Sequence, residues 1–336
     1  MNNILTEDKN GNCKRQEIFP KKINKMRMIK AVKPYIHPEY LNFKTAPYQA
    51  WVKSGGQTAE AHYPARMLHG WAFRYELPTI FRNTREVRLR FVEPVSVTFD
   101  TFPDYARYEI IPMIWDCWPC YFEKMCRWLE KHQVRTAIFT SSQTAERVQS
   151  RFSKMNIMYC PEAVDASCYQ AGTPLAERSI DLLEFGRSNG QFFRSAFPQK
   201  INHICTNQNG RYIYDNEELY EAMSQSKITV ALPRSITHPK LAGDIETLTQ
   251  RYWESMLSRI VMVGYAPKEL VDLIGYNPVV ELDSVHATEQ ILNILSHIDD
   301  YQELVNRNRT AALKYGDWTI RMKDVMNFLR QCGYKI

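Results

Sequence analysis

Two glutamates, Glu246 and Glu254, stand eight residues apart in the stretch DIETLTQRYWESMLSRIVMVG, residues 244–264. A carboxylate accepts two hydrogen bonds, so each suits the vicinal hydroxyls of a ribose or a hexose. In one continuous helix the two would lie about 12 Å apart, at about 1.5 Å per residue. A helix that begins near Thr249, with Glu246 left in the preceding loop, lets both face one ligand. Its amino terminus then offers free N–H groups and the positive end of the helix dipole to a phosphate. Arg251 lies three residues before Glu254 on the same helical face, where it can pair with that glutamate or reach a diphosphate. By residue type alone, a glutamate pair at this spacing is more often a solvated face, and context has to decide.

Other candidates are weaker. Asp116 follows the apolar run IIPMI (110–114), at the carboxyl end of a predicted strand. It reads as a residue facing a cleft or as a helix cap. Gly55 and Gly56 read as a glycine-rich ligand loop or as a plain turn. His62, His69 and His238 read as surface or core histidines rather than bases. There is no Walker loop, no GxGxxG and no Ser–His–Asp order.

These residues need elements to position them. Residues 95–99, 110–114 and 136–140 are short apolar runs with β-branched residues, and they predict buried strands. Helical spacing covers 119–131 and 143–154, and a strand follows at 157–160. After the loop 170–174 a second series begins, with strands at 180–186, 201–206, 228–232, 260–263 and 279–282. Its helices are expected at 216–225, 249–259, 267–274 and 287–298, followed by 301–314 and 318–331. Asp215 with Glu218 has the form of a capping box, and Pro267 suits a first helical turn. Ile291, Ile294, Leu295 and Ile298 make a core stripe. Strands alternating with helices imply two parallel sheets with helices on their faces. The expected organisation is a basic flexible segment (1–30), an atypical N-terminal Rossmann-like domain (31–168), a second Rossmann-like domain (169–315) and a C-terminal helix (316–336) that packs back on the first. Residues 30–92 are aromatic-rich, are broken by Pro and resist assignment.

Composition narrows the class. The chain has 336 residues, 44% hydrophobic and 24% charged, which excludes wholesale disorder and fibrous repeats and suggests two domains. No apolar run approaches the length of a membrane span. The first residues lack an apolar signal core, and eight cysteines are too few for a disulfide framework, so a cytoplasmic location is expected. Net charge is +6, and between Lys14 and Lys33 eight Lys/Arg face one acid, Glu17. That stretch is either a solvated tail or a contact with the anionic inner face of the plasma membrane. No nucleic-acid fold signature accompanies it.

The order of motifs resembles the retaining GT-B glycosyltransferases of family 4, the "group 1" type that includes sucrose synthase and mannosyltransferases. Their hallmark is Glu–seven residues–Glu after a strand ending in Pro-Ser; here ALPRS (231–235) precedes Glu246 and Glu254. LEFGR (183–187) resembles the family's strand ending in Gly-Arg, and YCPEAVD (159–165) its "PNGVD" turn at the domain junction. Residues 217–225 followed by KITVALP resemble the helix and strand before the motif, and Trp318 the aromatic entering the last helix. IWDCWP (114–119) resembles the "HDCWP" strand end of bacterial surface-polysaccharide enzymes, with Trp115 for the His. The likeness covers about 95–330 and is weaker before 150. The chain departs from the pattern in Thr247-Leu248-Thr249, where the family has glycines. It also lacks the family's Lys after Gly-Arg, for which Arg194 and Lys200 are the nearest cations. QRYWE points to a divergent bacterial branch.

The resemblance implies a hexosyltransferase that uses a nucleotide-sugar donor, no metal cofactor, and a glycan or lipid-linked acceptor in bacterial surface polysaccharide synthesis. Glu246 would orient the donor sugar and Glu254 would hold the ribose. Arg187 and Arg251 would neutralise the diphosphate at the helix start near Thr249, and Asp116 would face the acceptor. Two other classes stay open: a non-catalytic module that binds a nucleotide, a glycan or a partner, and a GT-B epimerase, for which no acid/base residues stand out. Cys117 and Cys120 form a CxxC that, with Cys126 and His132, also suits a redox pair or a zinc set. A structural cysteine cluster is favoured, because the family strand carries cysteines without a metal.

Overall fold

The computed structural model describes residues 6–7, 13–14, 27–35, 43–61, 66–75, 77–79, 83, 85–186, 197, 201–208, 211–212 and 215–336. A first series of strands comprises β1 (Arg27–Val32), β2 (Thr58–Ala59), β3 (Glu86–Val92), β4 (Glu109–Ile114), β5 (Thr136–Phe139) and β6 (Asn156–Tyr159). Its helices are α1 (Thr45–Lys53), α2 (Arg66–Tyr75), α3 (Val97–Thr101), α4 (Pro119–Lys131) and α5 (Ser142–Arg151). The second series has β7 (Ile180–Glu184), β8 (His203–Cys205), β9 (Ser226–Ala231), β10 (Val261–Gly264) and β11 (Val280–Glu281). With them run α6 (Asn216–Ser224), α7 (Arg234–Thr237), α8 (Pro239–Ala242), α9 (Gln250–Leu257), α10 (Lys268–Ile274) and α11 (Ala287–Ser296). The chain ends in α12 (Gln302–Tyr315), α13 (Trp318–Gln331) and β12 (Tyr334–Lys335).

The two large sheets are parallel. The first runs β12-β1-β3-β4-β5-β6, with β2 also beside β1. The second runs β8-β7-β9-β10-β11. Parallel strands covered on both faces run largely apolar, and β4 and β5 are buried at every position. In the second sheet the chain steps from β7 outward to β8, then returns to the other side of β7 as β9. That reversal opens a crevice beyond the carboxyl ends of β7 and β9, the place where open α/β sheets bind ligands.

The halves are joined twice at one spot. Val164 N–H donates to Gly316 O at 2.9 Å, and Trp318 N–H donates back to Val164 O at 3.0 Å. From there α13 buries Trp318, Met322, Val325, Met326 and Leu329 in one cluster with Trp51 of α1, Leu89 of β3 and Met113 of β4. β12 then pairs with β1, and the Tyr334 hydroxyl donates to Glu109 at 2.9 Å.

Two expectations need correction. Residues 95–99 do not form a strand: Asp100 N–H donates to Ser96 O at 2.8 Å, closing a helical turn in α3. The strand is β3, whose charge hid it. Arg88 and Arg90 are buried in it because Glu86 (2.9 Å) and Asp104 (3.0 Å) accept from them. Residues 27–30, read as flexible tail, belong to β1 inside the first sheet.

Candidate functional site

The crevice is built around α9. Tyr252, Trp253, Met256 and Leu257 are buried and fix one side of this helix. The Trp253 indole N–H donates to Glu162 O at 2.7 Å, and the Tyr252 hydroxyl donates to Tyr265 O at 2.7 Å. Arg251 and Glu254, only partly buried, are left on the other side. Thr249 precedes the helix in extended conformation (φ −86°, ψ 163°), and its side chain makes no capping bond. The helix therefore starts where the sequence predicts, with Glu246 in the loop before it.

Arg251 reaches the carboxyl end of β7. Its guanidinium carbon lies 5.6 Å from the Phe185 ring centroid. Gly186 adopts φ +73°, and a Cβ there would stand 2.6 Å from Arg251 Nη2. A side chain there would be strained at this φ and would displace the end of Arg251. Arg187, Arg194 and Lys200 lie outside the described residues. The Glu254 carboxylate accepts from the Tyr169 hydroxyl at 2.9 Å. Burial pushes the Glu254 pKa up, while Tyr169 and Arg251 pull it back. Burial and the neighbouring Glu254 push the Tyr169 hydroxyl up, so it stays the donor.

The loop bearing Glu246 is held from the opposite half. Gln143, in the first turn of α5, accepts from Glu246 N–H at 2.8 Å and donates to Asp244 O at 2.9 Å. Arg147, one turn on, pairs with Asp244 at 2.7 Å. Glu269 of α10 forms a second clamp: Oε1 accepts from Ser142 N–H and Oγ–H, both at 2.7 Å, and Oε2 accepts from Leu248 N–H at 2.9 Å. Among the described residues nothing hydrogen-bonds the Glu246 carboxylate itself, which is partly exposed.

Asp116 sits just beyond β4 with φ +50°. It does not cap α4, whose first residue follows Trp118. Instead it faces Arg234 at the start of α7, at 3.6 Å, and that guanidinium lies 5.2 Å from the Trp118 ring centroid. Trp118 packs on Ala242 and Ile245, so this contact also bridges the halves.

Glu162, in the turn between the halves, is 8% exposed. Its pKa is raised well above the usual carboxylate range, first by burial and then by Asp116, Glu269 and Glu254, against the pull of the Gln250 amide beside it. Residue types had marked Glu246, Glu254, Arg251 and Asp116. They gave no sign of Glu162, Arg234, Gln143, Glu269 or Tyr169, whose roles come from approach across the fold. The nearest signal for Glu162 was its place in the turn at the domain junction.

The remaining candidates fall elsewhere. Gly55 and Gly56 end α1, before β2, in a turn where Trp51 Nε1–H donates to Gln57 O at 2.8 Å. Burial, reinforced by Cys126, pushes the Cys117 thiol up to about 12, opposite to what a redox thiolate needs. Cys126 is buried in the apolar core under the first sheet, and His132 stacks near Tyr105 and Trp128. His238 lies between α7 and α8 with Nδ1 3.0 Å from Thr237 Oγ1. His62 and the His69 side chain lie outside the described residues.

No protein-family model and no curated protein sequence matches the chain. Solved structures do. Sucrose-phosphate synthase from Thermosynechococcus elongatus superposes with a TM-score of 0.51 at 13% identity, over 89% of this chain and 80% of that one. AviGT4, a glycosyltransferase involved in avilamycin A biosynthesis, gives 0.52 at 11% identity, over 92% and 98%. The fold is GT-B. A glycosyltransferase from Rickettsia africae ESF-5 gives 0.51 at 9% identity, over 91% and 98%. At such identities the GT-B likeness carries architecture only, and chemistry has to be argued from this chain's side chains.

Proposed function

We propose that this GT-B protein is a glycosyltransferase that moves a hexosyl group from a nucleotide sugar to a hydroxyl of a glycan or lipid-linked acceptor, with retention of configuration. The carrying observation is Arg251: a guanidinium set against Gly186 at the reversal point of the second sheet, three residues before Glu254 on α9. A diphosphate leaving a sugar carries charge that fixed cations and helix-end N–H groups stabilise. Arg251 would supply this, joined by Arg187, with Thr249 opening the helix. Glu254, oriented by Tyr169, would hold the ribose, and Glu246 would orient the sugar. Asp116, from the other half, would meet the acceptor. No metal ion is assigned a step. Residues 169–315 would then bind donor, 31–168 acceptor, and 316–336 would tie the two. The α5 clamp would tie placement of Glu246 to closure of the halves, which excludes water from the donor.

The family-4 relationship, a role in bacterial surface polysaccharide and a cytoplasmic or membrane-peripheral location belong to the same proposal. No described helix is long and apolar enough to cross a membrane. The second reading is a non-catalytic module that binds a nucleotide, a glycan or a partner. Assay of donor hydrolysis and transfer across UDP-, GDP-, ADP- and CMP-sugars separates the two. Turnover lost in Glu254→Ala supports the enzyme; nucleotide binding without turnover on any donor supports the module.

A further inference from the structure

The carboxyl end of β9 carries a second guanidinium to the crevice. Thr229 of β9 lies beside Leu183 of β7, so the parallel register, continued past both strands, sets Leu232 level with Gly186. Arg234 opens α7 two residues further on, after Pro233. Adjacent strands lie about 5 Å apart. Arg234 therefore leaves the second sheet one strand over from the place where Arg251 meets Gly186.

The Arg234 side chain is only 16% exposed. Burying a guanidinium is costly unless its N–H groups find acceptors. Among the described residues this one donates no hydrogen bond. Asp116 stands off at 3.6 Å, too far for one, and the Trp118 ring centroid lies 5.2 Å from the guanidinium carbon. Yet none of its nitrogens is sealed from solvent, so they stay open to an acceptor in the crevice. Trp118 is buried against Ala242 and Ile245, which fixes the ring under the cation. Asp116 approaches from the other half with φ +50°, a left-handed backbone that residues other than glycine seldom adopt. Backbone outliers of this kind cluster where a ligand is clamped. Carboxyls crowd this part of the crevice: Asp116, Glu254 and Glu269 all lie close enough to Glu162 to raise its pKa. A diphosphate entering among them needs more countercharge than Arg251 supplies.

We propose that Arg234 binds the donor's sugar-side phosphate, and that Asp116 holds this cation until the donor arrives. The inference rests on the donor reading given above. With the ribose at Glu254 and the sugar between Glu246 and Asp116, the terminal phosphate of the nucleoside diphosphate is the one on the Asp116 side. A planar guanidinium donates two parallel hydrogen bonds to phosphate oxygens, a fit that Asp116 at 3.6 Å leaves unused. Once Arg234 turns to the phosphate, the Asp116 carboxylate gives up this cation and can accept from an acceptor hydroxyl. Donor therefore binds before acceptor.

Calorimetry of the full chain with UDP, GDP and ADP, each against its monophosphate, tests it. For the nucleotide that wild type binds best, Arg234→Gln is expected to weaken the diphosphate by about ten- to a hundredfold, and the monophosphate not at all. Asp116→Asn is expected to tighten the diphosphate by about two- to fivefold, because it removes a competing, partly exposed ion pair. If Arg234→Gln does not fold, the sign of the Asp116→Asn change carries the test. An Asp116→Asn variant that binds diphosphate no tighter than wild type overturns the inference and makes the pair a strut between the halves. Equal loss of mono- and diphosphate in Arg234→Gln overturns it as well. Wild-type diphosphate affinity in Arg234→Gln, with Arg251→Ala impaired, overturns it and leaves the donor reading standing. A wild type that binds none of the three diphosphates overturns both.

Discussion

Arg251 owes its position to a missing methyl group. The Gly186→Ala variant meets two costs at once, a left-handed backbone at φ +73° and a Cβ 2.6 Å from the guanidinium. The backbone cost is about 1–2 kcal/mol, and the clash drives Arg251 off the strand end. Calorimetry is expected to show weaker nucleoside diphosphate binding in Gly186→Ala. Arg251→Ala should lose about ten- to a hundredfold, from about 1.5–3 kcal/mol for hydrogen bonds to a charged group. Glu162 makes a pH prediction. Its pKa in the fold is raised above the ordinary 4.5, so its contribution to stability is fully present below that value and is lost as pH rises through the folded pKa. Glu162→Gln, always neutral, should melt like wild type at acid pH and at progressively higher relative temperature as pH rises. A gap that stays constant with pH would show that the carboxyl is not held neutral by burial.

Gln143 illustrates what an element adds. One amide at the start of α5 makes two hydrogen bonds to the loop that presents Glu246. At about 1 kcal/mol each, their loss in Gln143→Ala should lower kcat by about thirtyfold. Nucleotide affinity, read by calorimetry, should stay put, since Arg251 and Glu254 lie in the other half. Equal loss in both would mean a general loss of structure. The elements that carry the candidate site were largely legible in the sequence. α4 and α9 and the second-series strands have strong periodicity or unbroken apolar runs, because parallel strands are buried on both faces. The first ninety residues were not. β3 alternates Arg88 and Arg90 with apolar residues, and their burial depends on Glu86 and on Asp104, fourteen residues beyond Arg90. β1 lies at the end of a basic stretch, with its charges paired by Glu109 and Glu86. Such pairing exists only in three dimensions, as do the contacts of Glu162, Arg234 and Glu269.

At the scale of the molecule, the chain's end completes its beginning. α13 and β12 contribute Trp318, Met322, Val325, Met326, Leu329 and Tyr334 to the core of the first sheet. Removing residues 317–336 strips one face of that sheet, and each lost side chain of this size costs about 2–5 kcal/mol. The truncated chain should lose the first half's unfolding transition in calorimetry; retention of both transitions would contradict the packing described. The two halves also meet through the α5 clamp, the Asp116–Arg234 pair and Trp118. The crevice is thus lined from both sides. A crystal structure of the full chain with a nucleoside diphosphate tests the central claim most directly. The account predicts the diphosphate between Gly186 and the start of α9, on the Arg251 guanidinium, with the ribose at Glu254 and the Glu162 carboxyl turned aside. A diphosphate bound elsewhere, with Glu162 still beside the Gln250 amide, would contradict it.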